Sequence, residues 1–175
     1  MRGMSRKIQT EAVLSKVPRD LSKTTRMNPV NNLVKSLATT DNKLLSKYNT
    51  ALQQVFNEYI KTFPMSHTEC EWGVVEPINI QRYYPKEGFY EWHTERDHWD
   101  TPVVNRNLVF MTYLNDVNDG GGTEFYHQQK IIQAKKGLTI VWPADWTYTH
   151  RGCISKTETK YIITGWASYY NKTGT

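Results

Sequence analysis

Cysteine is scarce in this 175-residue chain: only Cys70 and Cys153 occur, and their spacing matches no CxxC motif. A disulfide framework and a paired-cysteine redox or metal motif are thereby excluded, and both residues read as reduced thiols, Cys153 as a small packed side chain. Long apolar runs are also missing. Nothing approaches the ~20 residues needed to span a bilayer. The basic start, Met1 to Lys7, is followed by no apolar stretch of the secretory kind, so a cytoplasmic location is the default expectation. Glycine clusters once, at Gly120-Gly121-Gly122, but without the downstream Lys-Ser/Thr of a phosphate-binding loop, which makes a tight turn the expectation. Internal repeats and low-complexity segments are absent.

What is present is globular in character. Hydrophobic residues make up 38% of the chain and aromatic residues 13%, and the length suits one domain with one core. The net charge of +5 is uneven, because Arg2, Arg6, Lys7, Lys16, Arg19, Lys23, Arg26 and Lys35 precede residue 40 against only Glu11 and Asp20. Residues 1–39 therefore read as a basic N-terminal segment, partly irregular, with a short helix expected over 30–37 after Pro29. Such a segment suits an anionic partner such as nucleic acid, although it lacks the interleaved aromatics of a single-strand binder and fits a solvated leader better. Residues 40–175 form the expected folded domain.

The domain opens with a helical pattern. Leu44, Leu45, Tyr48, Leu52, Val55, Phe56, Tyr59, Ile60 and Phe63 recur at spacings of three and four, which predicts a helix over 40–62 with one apolar face. Thr40 or Asp41 can cap its start, and Pro64 ends it. Beyond Pro64 short runs of branched and aromatic residues alternate with turn residues. Strands are expected near 72–75, 78–84, 89–95, 107–114, 124–126, 130–133, 138–142, at His150, and over 160–169, a pattern of sandwiches and barrels. The helix would brace such a sheet.

The chemistry centres on Tyr90-Glu91-Trp92-His93-Thr94-Glu95. In a strand His93 and Glu95 project from one face and can reach one metal ion. His150 is the natural third ligand, and two imidazoles with one carboxylate form the facial triad of non-haem Fe(II) oxygenases. Ten residues later Lys160 begins an apolar run. A lysine buried there needs a counter-charge, which a dicarboxylate ligand can supply. His98 stands in a loop context, and His67 and His127 have no comparable company.

Gln81-Arg82-Tyr83-Tyr84, Tyr90 to Glu95, Tyr113-Leu114-Asn115-Asp116, Gly121 to Phe125, Trp142-Pro143, His150-Arg151-Gly152 and Lys160 stand in the order and spacing of a known family. From about Ile78 to Tyr169 the chain resembles the Fe(II)/2-oxoglutarate-dependent dioxygenases of the prolyl 4-hydroxylase-like superfamily. That resemblance implies a mainly β fold with flanking helices, built on a double-stranded β-helix, or jelly roll. It implies Fe(II) on His93, Glu95 and His150, with glutamate where that pattern usually has aspartate. It further implies 2-oxoglutarate held by Lys160, Tyr84, Thr123 and Trp166, with Tyr83 facing the opposite side; a one-residue shift in register exchanges the two tyrosines. Tyr90 and Arg106 would stand on the substrate side, and the 96–105 loop would cover the site. No catalytic residue is expected beyond the metal site. The implied reaction hydroxylates a peptide or small-molecule acceptor, releasing succinate and CO2, with ascorbate as a reductant for over-oxidised iron. A peptidyl prolyl residue is the acceptor the resemblance suggests, weakened by Ser168 standing where the prolyl hydroxylase pattern has a histidine. Nucleic acid as the acceptor and a non-catalytic metal-binding jelly roll are the competing readings.

Overall fold

The computed structural model describes residues 42–68 and 70–170, with the side chains of the first helix given from Ser46 onward. The expectations for residues 1–39, including the helix at 30–37, for a cap at Thr40 or Asp41, and for the side chains of Leu44 and Leu45 lie outside that description. Helix α1 spans Asn42–Thr62. It stops where Pro64, which has no N–H and disfavours helical backbone in the residue before it, sets Phe63 at φ −127° and ψ 71°.

Eight strands follow among the described residues: β1 Trp72–Gly73, β2 Asn79–Tyr83, β3 Arg106–Tyr113, β4 Thr123–Phe125, β5 Lys130–Ile132, β6 Thr139–Pro143, β7 His150–Gly152 and β8 Lys160–Tyr169. They form two antiparallel sheets. In the larger, β8 pairs with β3, β3 with β6, and both β1 and β2 pair with β8. The smaller runs β5-β4-β7. This is the jelly roll that the family resemblance implies.

Alternation along the strands makes two cores. On the outer face of the larger sheet Leu108, Phe110, Val141, Ile163 and Ala167 meet Tyr48, Leu52, Val55, Phe56 and Tyr59 of α1. These are the helical positions that recur at three and four, so the apolar stripe is the face that braces the sheet. Tyr48 Oη lies 3.0 Å from Thr112 Oγ1, which lies 2.7 Å from Thr139 Oγ1, so the polar atoms buried under the helix are paired. The alternate residues Val109, Met111, Tyr113, Ile140, Trp142 and Ile162 face inward and pack with Phe125 of the smaller sheet. Among the described residues no helix is long and apolar enough to cross a membrane.

The expected strand at 89–95 is not a strand. Only His93 pairs, bonding reciprocally with His150 through N–H···O contacts of 3.0 Å, while Gly152 N–H donates to Phe89 O at 2.7 Å. Two residues on, Glu95 and Arg96 donate their N–H groups to Ala144 O, just beyond β6. The segment leaves the smaller sheet for the larger between His93 and Glu95, and that change of partner breaks the ladder. The glycine cluster is the expected turn: Gly121 has φ +69°, and a Cβ there would meet Val117 at 2.6 Å.

Candidate metal centre and co-substrate cavity

The crossing segment and β7 bring three side chains together. His93 Nε2 lies 3.5 Å and His150 Nε2 3.4 Å from Glu95 Oε1, and the three ligand atoms all lie within 4.8 Å of one another. Two metal–ligand bonds of about 2.1 Å span at most about 4.2 Å, so the 3.5 and 3.4 Å separations from Glu95 Oε1 suit ligands of one shared ion. Both imidazoles are oriented from behind. His93 Nδ1 is 2.9 Å from Glu91 O, and His150 Nδ1 is 2.9 Å from Tyr148 O. A carbonyl accepts only from a protonated nitrogen, so each Nδ1 carries its hydrogen and each Nε2 is the ring atom turned to the centre. Trp142 stands edge-on to the His150 ring at 5.0 Å, and Phe89 to the His93 ring at 4.2 Å. The ligands are thus held before any ion arrives.

The centre favours a carboxylate anion. Burial pushes the Glu95 carboxyl up, but the hydrogen bonds and charges of His150 and His93 outweigh burial and hold it far below the usual carboxylate range. Burial likewise pulls the His93 imidazole down, and Glu95 together with the Glu91 carbonyl reverses that, leaving it above its ordinary value. The second carboxylate oxygen, Oε2, accepts from Trp166 Nε1–H at 2.9 Å. A donor set of two imidazole nitrogens and one carboxylate oxygen suits a divalent iron.

Lys160, at the start of β8, is 5% exposed, with its Nζ 4.8 Å from the centre of the Tyr83 ring. Among the described residues it has no carboxylate partner, and burial lowers its pKa to about 8, the nearby Cys153 acting in the opposite sense. A Cβ added at Gly152 would come within 3.5 Å of Nζ, so the glycine leaves room beside the ammonium. Thr123 sits opposite Gly152 in the β4–β7 register, and its Oγ1 is 2.7 Å from the buried Tyr113 hydroxyl. A buried cation with no carboxylate partner among the described residues, beside an open backbone, fits the distal carboxylate of a dicarboxylate co-substrate.

The expected site residues therefore fall into three groups. His93, Glu95 and His150 converge, Lys160 and Thr123 share the interior, and Trp166 touches Glu95. Tyr84 is a correction. In the β2–β8 register Tyr83 pairs with Lys160, so Tyr83 faces the interior, while Tyr84 is 37% exposed with the Arg82 guanidinium over its ring at 4.3 Å. Tyr90 stands exposed, three residues before His93. Arg106 is not open at the mouth: it is half-buried against Glu76 and Trp166. Sequence reasoning assigned no role to Tyr113 or Glu76. Tyr113 lies within a quoted motif, and its place on an apolar strand is the signal that could have found it. Cys153 is half-buried, with Lys160, Arg151 and Glu124 near enough to act on its thiol. His98 is exposed beside Asp97, and Trp99 in the 96–105 loop is 92% exposed.

Comparison with known proteins follows the same lines. The sequence profile of the 2OG-Fe(II) oxygenase superfamily matches residues 78–168. Among solved structures, the viral collagen prolyl hydroxylase of Paramecium bursaria Chlorella virus-1, in complex with 2OG, superposes with a TM-score of 0.57 at 22% identity, covering 70% of this chain and 73% of that one. A Pseudomonas putida prolyl-4-hydroxylase gives 0.53 at 18%, covering 73% and 68%. A Trichoplax adhaerens prolyl hydroxylase in complex with a hypoxia inducible factor peptide fragment gives 0.57 at 14%, covering 71% and 56%. At these identities the likeness establishes a shared fold. No curated protein matches significantly.

Proposed function

The chain belongs to the 2OG-Fe(II) oxygenase superfamily and is a 2-oxoglutarate-dependent dioxygenase, and from that premise we propose that it hydroxylates a peptidyl acceptor, a prolyl residue among the candidates. His93, Glu95 and His150 would hold Fe(II), and Lys160 would hold the distal carboxylate of 2-oxoglutarate, flanked by the hydroxyls of Tyr83, Tyr113 and Thr123. The single observation that carries this reading is the buried Lys160 ammonium, with no carboxylate partner among the described residues, in the same barrel as the three converging ligand atoms. Bound iron with 2-oxoglutarate supplies O2 activation and C–H hydroxylation, with succinate and CO2 released. The chain itself orients the ligands, excludes water with Phe125, Trp142 and Ile162, and pins one end of the co-substrate so that its other end meets the centre.

The acceptor reading rests on the mouth. Phe89, Tyr90, Trp92 and Trp99 are exposed in the segment that carries the ligands, a set of aromatic surfaces suited to a proline-containing or apolar peptide. The same stretch, residues 89–100, holds Glu91, Asp97 and Asp100 as exposed acids against Arg96 as its only lysine or arginine, which disfavours a polyphosphate chain. The domain would begin at residue 40, with α1 as its brace and the 96–105 loop beside the mouth. Ascorbate dependence belongs to the same proposal.

Anaerobic titration with Fe(II) and 2-oxoglutarate tests the centre. A metal-to-ligand absorption band is expected in the parent protein and absent in His93→Ala and Lys160→Ala. Peptide libraries assayed by succinate release and a one-oxygen mass gain then test the acceptor, with and without ascorbate. Succinate release stimulated by single-stranded DNA and not by any peptide would overturn the peptidyl reading.

A further inference from the structure

We propose that Glu76 is a positioning residue for the metal centre, holding Arg106 so that the Glu95 carboxylate presents only Oε1 to the ion; this rests on the metal reading of His93, Glu95 and His150. Glutamate has one more rotatable bond than aspartate, so a glutamate ligand needs more restraint to point one oxygen at a fixed place. The structure supplies it through a chain of contacts. Glu76 takes Arg106 in a forked pair, Nε to Oε1 at 3.0 Å and Nη2 to Oε2 at 2.7 Å. The remaining arm, Nη1, donates to the backbone carbonyl of Glu95 at 3.0 Å. The guanidinium plane lies over the Trp166 ring at 3.6 Å, and Trp166 donates its indole N–H to Glu95 Oε2. Ser168 donates to Glu76 Oε1 at 3.1 Å and steadies the far end. Both ends of Glu95, backbone and carboxylate, are thus gripped by one stacked unit whose orientation Glu76 sets.

The charge of Glu76 matters as well as its shape. The Arg106 and Glu76 side chains are 14% and 9% exposed, so an unpaired guanidinium there would seek the nearest anion. That anion is Glu95 Oε2, already 3.9 Å from Nη1. With Glu76 neutralised, Arg106 would close on Glu95, turn its carboxylate and compete with the metal for its charge. Outer partners of this kind set ligand orientation and basicity.

The test is Mn(II) affinity of the full chain, read from the spin resonance of the free ion without turnover, with near-UV circular dichroism as the check on folding. Glu76→Gln is expected to bind Mn(II) roughly tenfold more weakly than the parent, while Glu76→Asp, which keeps the charge, recovers most of the loss. Unchanged affinity in folded Glu76→Gln overturns the proposal and leaves the metal site standing. Absence of Mn(II) binding in the parent overturns both. Should Glu76→Gln fail to fold, Ser168→Ala decides: weakening of about threefold supports the proposal, and unaltered affinity overturns it.

Discussion

Lys160 and Tyr83 face each other across the β2–β8 ladder, with the ammonium 4.8 Å from the ring centre and no carboxylate partner among the described residues. The folded state bears the cost of this burial, which the carboxylate of the proposed co-substrate would offset. Burial pulls the Lys160 pKa to about 8 from the ordinary 10.5, a displacement worth roughly 3 kcal/mol. A lowered lysine pKa penalises the native state fully below about 8, and the penalty fades as pH rises toward 10.5, where the unfolded chain also loses its proton. Lys160→Met is therefore expected to raise the stability of the metal-free protein at pH 7 by up to about 3 kcal/mol and to abolish 2-oxoglutarate binding. Urea unfolding at pH 7 and pH 10 checks both halves, since the gain should shrink at the higher pH.

Co-substrate affinity carries the opposite sign. The dicarboxylate needs the ammonium form, so the dissociation constant for 2-oxoglutarate is expected to increase as pH climbs through about 8. Protons act at the other edge of the window, because metal binding requires both Nε2 lone pairs and the His93 imidazole is raised above its ordinary 6.5. Calorimetric titration of Mn(II) and 2-oxoglutarate between pH 6 and 9 should show metal affinity falling on the acid side and co-substrate affinity on the basic side.

How much of this was legible beforehand follows from the type of signal. The α1 face was readable because Tyr48, Leu52, Val55, Phe56 and Tyr59 repeat with the helical period and are buried for that reason. Most strands carried the alternation of a half-buried sheet. The 89–95 segment broke that rule because its backbone changes sheets between His93 and Glu95, a switch that leaves no periodic trace. Glu76 was invisible because its partner Arg106 stands 30 residues away, and ion pairs have no spacing signature.

Phe56 offers a stability test remote from the site. Its ring stands edge-on to Trp72 at 5.2 Å and to Phe110 at 5.9 Å, and it is 4% exposed. Truncation removes the helix's main grip on the sheet and leaves a cavity that the rigid β3 and β8 strands cannot fill. Phe56→Ala should cost about 3–5 kcal/mol, read as a lower urea midpoint, with Mn(II) affinity unaltered where the variant is still folded.

The two adjacent tyrosines give the sharpest check on register. Tyr83 and Tyr84 are equivalent by composition, and only the pairing of Tyr83 with Lys160 decides which one points inward. The Tyr83 hydroxyl now donates to Gln81 Oε1 at 2.6 Å, a bond within the same face that it can exchange for the carboxylate of a bound acid. A hydrogen bond to a charged acceptor contributes about 1.5–3 kcal/mol, so Tyr83→Phe is expected to weaken 2-oxoglutarate binding by roughly tenfold or more. Tyr84→Phe, on the solvent side under Arg82, should leave it within about twofold, since a surface change away from the site has little to act on. Isothermal titration of the two variants with Mn(II) present separates them, and equal losses would mean that the β2–β8 register is wrong.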